Sequence, residues 1–218
     1  MKRRTLPVAA AFAATAALLL TACGGGDDTS TDDGEIAGAD KGDTGASASP
    51  SASTPAAADR PDVKLPGDVI NVFESWKTGD GTKDAVLADV TWRINATDAA
   101  ITAGDPDSAA LKFYYGGDAL VGAIEWVQGY KNNGKSITGT TRYFNPELKI
   151  VDKDTAAVAY CSDESKAYDK DRKTNKADKG EVTKNSYVTY NTRLQKNAEG
   201  VWQTTNLQSE RGNAKCAP

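Results

Sequence analysis

Apolar residues between positions 69 and 132 recur at the spacing of α-helices. Val69, Val72, Phe73 and Trp76 stand at i, i+3, i+4 and i+7 and follow a Pro-Gly-Asp start signal. Side chains at these spacings share one face of a helix, so the pattern predicts a first helix over about 69–76.

Two further helices are predicted downstream. Val86, Val90 and Ile94 form a rough stripe that indicates a helix from Lys83 to about Ile101. The next helical pattern starts after Pro106, since proline suits the first position of a helix, and ends by 132–134. The Gly116-Gly117 pair interrupts this third helix.

The period changes from helical to alternating after Gly134. Alternation and β-branched or aromatic residues predict four strands joined by hairpins, with a charged loop at 169–181 and a bulge or a kink at Pro146. The predicted strands cover 136–151, 155–168, 183–196 and 201–210. Helices followed by a four-stranded antiparallel meander indicate an α+β fold with N-terminal helices.

The first residues have the features of an export signal. Lys2-Arg3-Arg4 precedes an apolar run from Leu6 to Leu20, which is shorter than the roughly 20 residues that a membrane-spanning helix needs. A membrane-spanning helix is therefore the less favoured alternative, and 1–22 is predicted to be a signal peptide. The general secretory route is favoured over the twin-arginine route.

Leu20-Thr21-Ala22-Cys23 resembles the lipobox of bacterial lipoproteins. The resemblance implies that the signal is cleaved before Cys23 and that this cysteine is diacylated, with chains such as palmitate. It further implies a lipid anchor on the outer face of the cytoplasmic membrane.

Residues 24–59 consist almost entirely of Gly, Ala, Ser, Thr, Pro and Asp. Such a segment buries too little apolar surface to offset its conformational entropy, so 23–60 is predicted to be a lipidated cysteine followed by a disordered tether. The net acidity of the chain lies in this segment, and residues 60–218 are near neutral. A neutral domain argues against nucleic acid as a partner. We expect one globular domain at 61–218.

Two cysteines remain beside Cys23. Cys161 and Cys216 would sit in an oxidising compartment, where a disulfide is the simplest interpretation and a pair of free thiols is the alternative. Two sulfurs in a chain without histidine cannot complete a zinc shell, so no metal site is expected. The glycine pairs lack the context of a phosphate-binding loop, and no cofactor is expected.

The element order resembles the nuclear-transport-factor-2-like cone, in which a curved sheet wraps around a long helix and leaves a pocket. The chain is also similar to actinobacterial lipoproteins of that fold in three stretches, Ala159–Asp163, Gly200–Gln203 and Gly212–Cys216. The resemblance implies N-terminal helices on a curved four-stranded sheet, and a bridge between Cys161 and Cys216. It carries little about function, since one fold hosts many functions.

Candidate chemistry is sparse. Ketosteroid isomerase-like cones use an aspartate with a tyrosine, and dehydratase-like cones use a histidine–aspartate pair, which a chain without histidine excludes. Glu125 is the best candidate for a buried base, although an exposed helical glutamate is the favoured interpretation. No catalytic residue is predicted.

A cluster of aromatic residues and one arginine could line the mouth of the cone. Aromatic walls and a guanidinium suit a small anionic or aromatic ligand, but the same residues also suit a plain core and rim, which is the favoured interpretation. The candidate pocket residues are Tyr114, Tyr115, Trp126, Tyr130, Arg142 and Tyr143.

The sequence thus predicts a noncatalytic lipoprotein of the cell envelope that binds a protein partner or a small ligand. The alternative is a lipid-tethered enzyme that performs acid–base chemistry on a small hydrophobic substrate. A carboxyl group deep in the cone beside open volume would favour the enzyme.

Overall fold

The computed structural model describes residues 59–218. The predicted signal peptide, Cys23 and nearly all of the predicted tether lie outside the described residues. The described part is a mixed α+β structure, as the sequence predicts. Its elements in chain order are β1 (Val69–Phe73), α1 (Gly81–Ala103), α2 (Ala109–Tyr114), α3 (Gly117–Asn132), β2 (Lys135–Ile150), β3 (Thr155–Asp171), β4 (Ala177–Asp178), β5 (Tyr187–Lys196) and β6 (Trp202–Arg211).

The sheet has six strands, so the prediction of four is corrected. Its order is β1-β2-β3-β5-β6, and the short β4 pairs with the far end of β3. All neighbours are antiparallel except β1 and β2, which are parallel. The helices are not strictly N-terminal either, because β1 precedes them.

The predicted helix over 69–76 is wrong. Val69–Phe73 pairs with Gly139–Tyr143 of β2, and its burial alternates as in a strand, with Ile70 and Val72 exposed. Ile and Val are stiff at χ1 and favour the extended backbone, and the free edge of β2 supplies hydrogen-bond partners that an isolated two-turn helix lacks. The strand aims Asn71 towards α1.

Helix α1 confirms the predicted second helix and extends it by two residues at each end. The Asp80 side chain accepts hydrogen bonds from the backbone N–H groups of Thr82 and Lys83 at 2.9 and 3.0 Å. Gly104 ends the helix at φ 68°, a left-handed conformation that costs glycine no Cβ strain. The predicted third helix is two helices, because Gly116 leaves the helical path and its N–H donates to the Thr204 carbonyl at 2.9 Å.

The long strands lie close to their predicted positions. The register between β2 and β3 shifts between Phe144 and Glu147, which confirms the bulge predicted at Pro146. The predicted charged loop is partly strand, since β3 continues to Asp171 and β4 pairs with it. Residues 184–186 form a 3₁₀ turn before β5 begins.

A dense core lies between the first half of α1 and the sheet. Val86, Leu87 and Val90 of α1 are fully buried, as are Leu194 and Trp202 of the sheet. The predicted bridge between Cys161 and Cys216 is confirmed, with the two Cα atoms 5.5 Å apart. It fastens the C-terminal tail to β3.

Candidate functional site

A cavity of about 950 Å³ lies between the second half of α1, helix α3 and the sheet. This size is in the range of small-molecule sites in proteins. The segment from Gly180 to Ser186 contributes to one side of it. The cavity adjoins the dense core, so α1 contacts packed side chains at one end and open space at the other.

Small residues on α3 keep this volume open. Ala119, Ala123 and Val127 form the buried face of the helix, at i, i+4 and i+8. Gly122 also lines the cavity, and nothing stands within 4 Å of the position its Cβ would occupy. Larger residues at positions 119, 122 and 123, which line the cavity, would occupy part of it, so the small residues of α3 help to keep it open.

Arg93 of α1 is a buried cation in the cavity wall. It is 4% exposed and lines the cavity. One guanidinium nitrogen donates to the Tyr160 hydroxyl at 2.6 Å and the other to the Tyr115 hydroxyl at 3.3 Å. Tyr115 is held in turn by Thr97 at 2.9 Å.

The hydrogen-bonding capacity of Arg93 is only partly used. A guanidinium has five N–H donors, and the described residues accept two of them. Its Nε is buried without a partner. No carboxylate of residues 59–218 lies within 4.0 Å of the guanidinium. Buried charges in proteins are normally paired, so this cation has room for an anionic partner.

Asp98, also on α1, is a half-buried carboxylate that lines the same cavity. Asn71 of β1 donates to one of its oxygens at 2.7 Å. Burial raises the pKa of Asp98 to about 6, and the Asn71 hydrogen bond and the charge of Arg93 offset only part of that effect. A carboxyl group with such a pKa exchanges protons near neutral pH, which is a property of functional sites.

Two phenols face the same volume. Tyr143 and Tyr160 are 8% and 2% exposed, and both line the cavity. Burial raises the pKa of Tyr143 well above its ordinary value, and burial also raises that of Tyr160 although Arg93 acts against it. Both therefore stay protonated and can donate. The Tyr160 hydroxyl accepts from Arg93, and no acceptor for its own proton is found among residues 59–218.

Acidic side chains near the mouth are exposed or paired. Glu164 accepts from Arg211 at 2.6 Å and from Tyr190 at 3.3 Å. Asp169 accepts from the Tyr130 hydroxyl at 3.2 Å. These carboxylates are therefore hydrogen-bonded to neighbouring side chains or hydrated, whereas Arg93 has no charged partner among residues 59–218.

Four of the six candidate pocket residues line this cavity, namely Tyr115, Trp126, Tyr130 and Tyr143. Tyr114 does not line it; it is fully buried against Val201 and Phe113 in a separate apolar cluster. Arg142 does not line it either, because side chains alternate along β2 and Arg142 points away from Tyr143.

Arg142 instead pairs with Glu74 at 2.9 Å and Asp163 at 3.4 Å. The guanidinium groups that line the cavity belong to Arg93 and to Arg211, and Arg211 is paired with Glu164 at 2.6 Å. Glu125 is exposed, which agrees with the favoured interpretation of an exposed helical glutamate.

Arg93 and Asp98 are not among the residues predicted from the sequence, although the sequence carries a signal for both. Arg93 stands seven residues after Val86 and three after Val90, on the stripe that predicts the buried face of α1. Asp98 follows Ile94 by four residues on the same face. A charged residue on an apolar stripe indicates a buried charge, and such charges concentrate at functional sites.

Residues 59–218 contain neither a metal-binding cluster nor a membrane-spanning helix. The described part holds no group of three or more His, Cys, Asp or Glu side chains that could ligate a metal ion. None of its helices is long and apolar enough to cross a membrane.

Comparisons with known proteins give weak likenesses only. No protein-family model matches the chain, and no curated protein does. The intermembrane-space region of the chloroplast protein ARC6 is similar at a TM-score of 0.42 and 14% identity, over 62% of this chain and 98% of that one.

Two further solved structures are similar. A ketosteroid isomerase-like protein from Erwinia carotovora atroseptica matches at a TM-score of 0.38 and 15% identity, over 58% of this chain and 93% of that one. A putative ketosteroid isomerase from Shewanella frigidimarina matches at 0.30 and 13%, over 60% and 98%. Such low scores carry no argument about function, which must come from the site itself.

Proposed function

We propose that this protein is a lipid-anchored binding module of the cell envelope, whose cone-like domain holds a small, largely apolar ligand. The observation that carries the proposal is the cavity of about 950 Å³ between α1, α3 and the sheet. Its wall combines aromatic rings with a few polar groups, the usual composition of a ligand site.

The anchor and the location come from the sequence. The lipobox-like segment ending at Cys23 and the low-complexity segment 24–59 support attachment to the outer face of the cytoplasmic membrane. Two acyl chains give stable attachment, and a flexible tether raises the effective concentration of the domain near membrane-bound partners. A protein of the cell envelope is the second candidate partner of the domain.

The anchor is tested by substitution of its cysteine. Cys23→Ala is expected to move the protein from the membrane fraction to the soluble fraction of cells. Labelling with a radioactive fatty acid should mark the natural protein and not the variant. Equal membrane retention of both proteins would contradict the proposed anchor.

Binding is tested with the neutral fluorescent probe N-phenyl-1-naphthylamine. Its emission should rise on addition of the natural protein, because apolar surroundings exclude water from the probe. Gly122 lines the cavity and a Cβ there meets nothing within 4 Å, so we expect the indole of Gly122→Trp to occupy the cavity and abolish the rise.

Gly129→Trp is the matched control. Gly129 lies on the same helix, also has nothing within 4 Å of its virtual Cβ, and does not line the cavity. This variant should bind the probe as the natural protein does. The proposal fails if neither variant changes the fluorescence, or if both abolish it.

A second candidate function is acid–base catalysis, which Asp98 favours. Its carboxylate could take a proton from the carbon beside a ligand carbonyl, and the electron pair would move onto the carbonyl oxygen. The phenol protons of Tyr143 and Tyr160 could stabilise that oxygen, and the proton would return to another carbon. A base with a pKa of about 6 is suited to this task.

The two candidates differ in what Asp98 does. The catalytic candidate requires that the protein convert 3-cyclohexen-1-one to its conjugated isomer, measured by ultraviolet absorbance, and that Asp98→Asn abolish the rate. The binding proposal requires that Asp98→Asn still bind the naphthylamine probe. Equal rates for the natural protein, Asp98→Asn and buffer would remove the catalytic candidate.

A further inference from the structure

The unpaired donors of Arg93 indicate the chemical class of the ligand. We infer that the cavity binds an aromatic monocarboxylate, whose carboxylate pairs with Arg93 while its ring lies against the aromatic wall. This inference rests on the proposed binding function and makes it specific.

The first step is the state of the cation. Arg93 is 4% exposed, its two hydrogen-bond partners are tyrosine hydroxyls, and its Nε has none. An arginine cannot lose its charge to escape burial. A bound anion would therefore gain a charge-assisted contact without having to strip water from a solvated arginine.

The second step is the shape of the anion. The guanidinium is a planar fork that matches the two oxygens of a carboxylate, and three of its five N–H groups are free of partners among residues 59–218. The Tyr160 hydroxyl adjoins this fork and keeps a proton to donate. A single carboxylate can use these donors together.

The third step concerns the charge of the ligand. Asp98 lines the same cavity and repels a ligand of high negative charge. A monoanion is repelled less by Asp98 than a phosphate dianion, whose second negative charge Arg93 cannot balance. The mouth is also lined by the exposed acids Asp118 and Asp169, which bulk water screens.

The fourth step is the rest of the ligand. Trp126 and Tyr130 pack edge-on with ring centres 5.4 Å apart, and both line the cavity. Trp126 is 52% exposed, an unusual position for an indole that has only a structural role. Tyr143 faces the same volume. Aromatic rings favour an aromatic partner through edge-to-face and stacked contacts.

The test uses 2-naphthoate as the probe and 2-naphthamide as its uncharged analogue, titrated by calorimetry into the natural protein at pH 7.5. The carboxylate should bind at least ~30-fold more tightly than the amide, as expected for a hydrogen-bonded charge pair. Arg93→Gln should remove this preference, and both ligands should then bind alike.

Asp98→Asn is expected to strengthen the binding of 2-naphthoate, whereas Arg93→Gln is expected to weaken it. Removal of a neighbouring negative charge should tighten 2-naphthoate binding about 3- to 10-fold and leave 2-naphthamide unchanged. A purely structural role of Asp98 would weaken both ligands together. Loss of naphthoate binding in this variant would overturn the inference.

A measurement on the natural protein removes any dependence on folding of the variants. The Nε–Hε signal of Arg93 in a nitrogen–proton NMR spectrum should shift on addition of 2-naphthoate and not on addition of 2-naphthamide. An unmoved signal under saturating 2-naphthoate overturns the inference, as does equal affinity for the two ligands. The binding proposal would survive either result if Gly122→Trp still blocks N-phenyl-1-naphthylamine.

Discussion

Helix α1 carries two buried charges one turn apart, and the two have opposite surroundings. Asp89 is 1% exposed; Arg60 donates to one of its oxygens and the Trp202 backbone N–H to the other at 2.8 Å. Arg93 is as deeply buried but has only phenols as partners, and its Nε has none. Asp89 lies at the dense core, whereas Arg93 lies where helix α1 reaches the cavity.

The two charges divide helix α1 into a dense half, which packs against the core, and an open half, which borders the cavity. Up to Val90, the buried face of α1 meets fully buried side chains such as Leu194 and Trp202. From Arg93 onwards it borders the cavity, opposite the small side chains of α3. Asp89 is paired with groups of the protein, whereas Arg93 keeps N–H donors that have no partner among the described residues. Four predictions test this contrast, in order of expected effect.

The largest effect is expected from the disulfide, which fastens the tail behind the dense half. Reduction, or the double variant Cys161→Ala and Cys216→Ala, should lower the free energy of unfolding by about 4 kcal/mol, since the bridge closes a separation of 55 residues. Urea unfolding with and without a reductant measures the loss. A change below about 1 kcal/mol would mean that packing of the tail, not the covalent link, fixes it.

The next largest effect compares a leucine of the dense core with a leucine beside the cavity. Leu194→Ala in the dense core should cost about 3–4 kcal/mol, because Leu194 is fully buried and its removal leaves a void. Leu207→Ala should cost about 1–2 kcal/mol, because Leu207 is only partly buried and already borders the cavity. Chemical unfolding compares the pair. Equal losses would contradict the division into a dense and an open half.

Asp98→Asn should stabilise the protein at pH 8. The folded pKa of Asp98 is raised to about 6, so the folded state binds a proton more tightly than the unfolded chain. That stabilisation is complete below the unfolded pKa and is lost as the pH rises through 6, which leaves a charged, partly desolvated carboxylate. The shift in the pKa of Asp98 corresponds to about 2–3 kcal/mol in the free energy of unfolding.

The amide avoids this cost and can still accept from Asn71. The variant should therefore gain stability at pH 8, by about 1–3 kcal/mol after relaxation, and none at pH 4. The charged or titratable groups that act on Asp98 are Arg93 of the same helix and Glu164, Tyr143 and Tyr160 of the sheet. Thermal unfolding at both pH values measures the difference, and a loss of stability at pH 8 would contradict the assigned pKa.

The smallest effect is expected from Arg142, on the other side of β2. Its ion pairs with Glu74 and Asp163 lie near the surface, where such pairs contribute about 0–1 kcal/mol. Arg142→Gln should change stability within that range and leave 2-naphthoate binding unchanged. An effect on binding as large as that of Arg93→Gln would mean that the cavity is not the site.

The sequence predicts those parts of the fold that local pattern determines. The stripe through Val86, Val90 and Ile94 locates α1 to within two residues at each end, and alternation locates the four long strands. The same spacing rule fails at Val69–Trp76, because pairing with β2 depends on residues some seventy positions away. No local pattern encodes such a partner.

The site is harder to predict, because its residues are distant in the sequence. Arg93, Tyr115 and Tyr160 converge only once α1 is laid on the sheet. The aromatic cluster nevertheless identified four residues of the cavity wall. Arg142 does not belong to that wall, because neighbouring side chains of a strand point to opposite faces and Tyr143 faces the cavity.

The most direct test of the open half is a crystal structure of the protein with 2-naphthoate. We expect the naphthyl ring to lie between Trp126 and Tyr143, with a carboxylate oxygen within about 3 Å of the Arg93 guanidinium. A ligand bound elsewhere, or one in the cavity with its carboxylate turned to solvent, would contradict it.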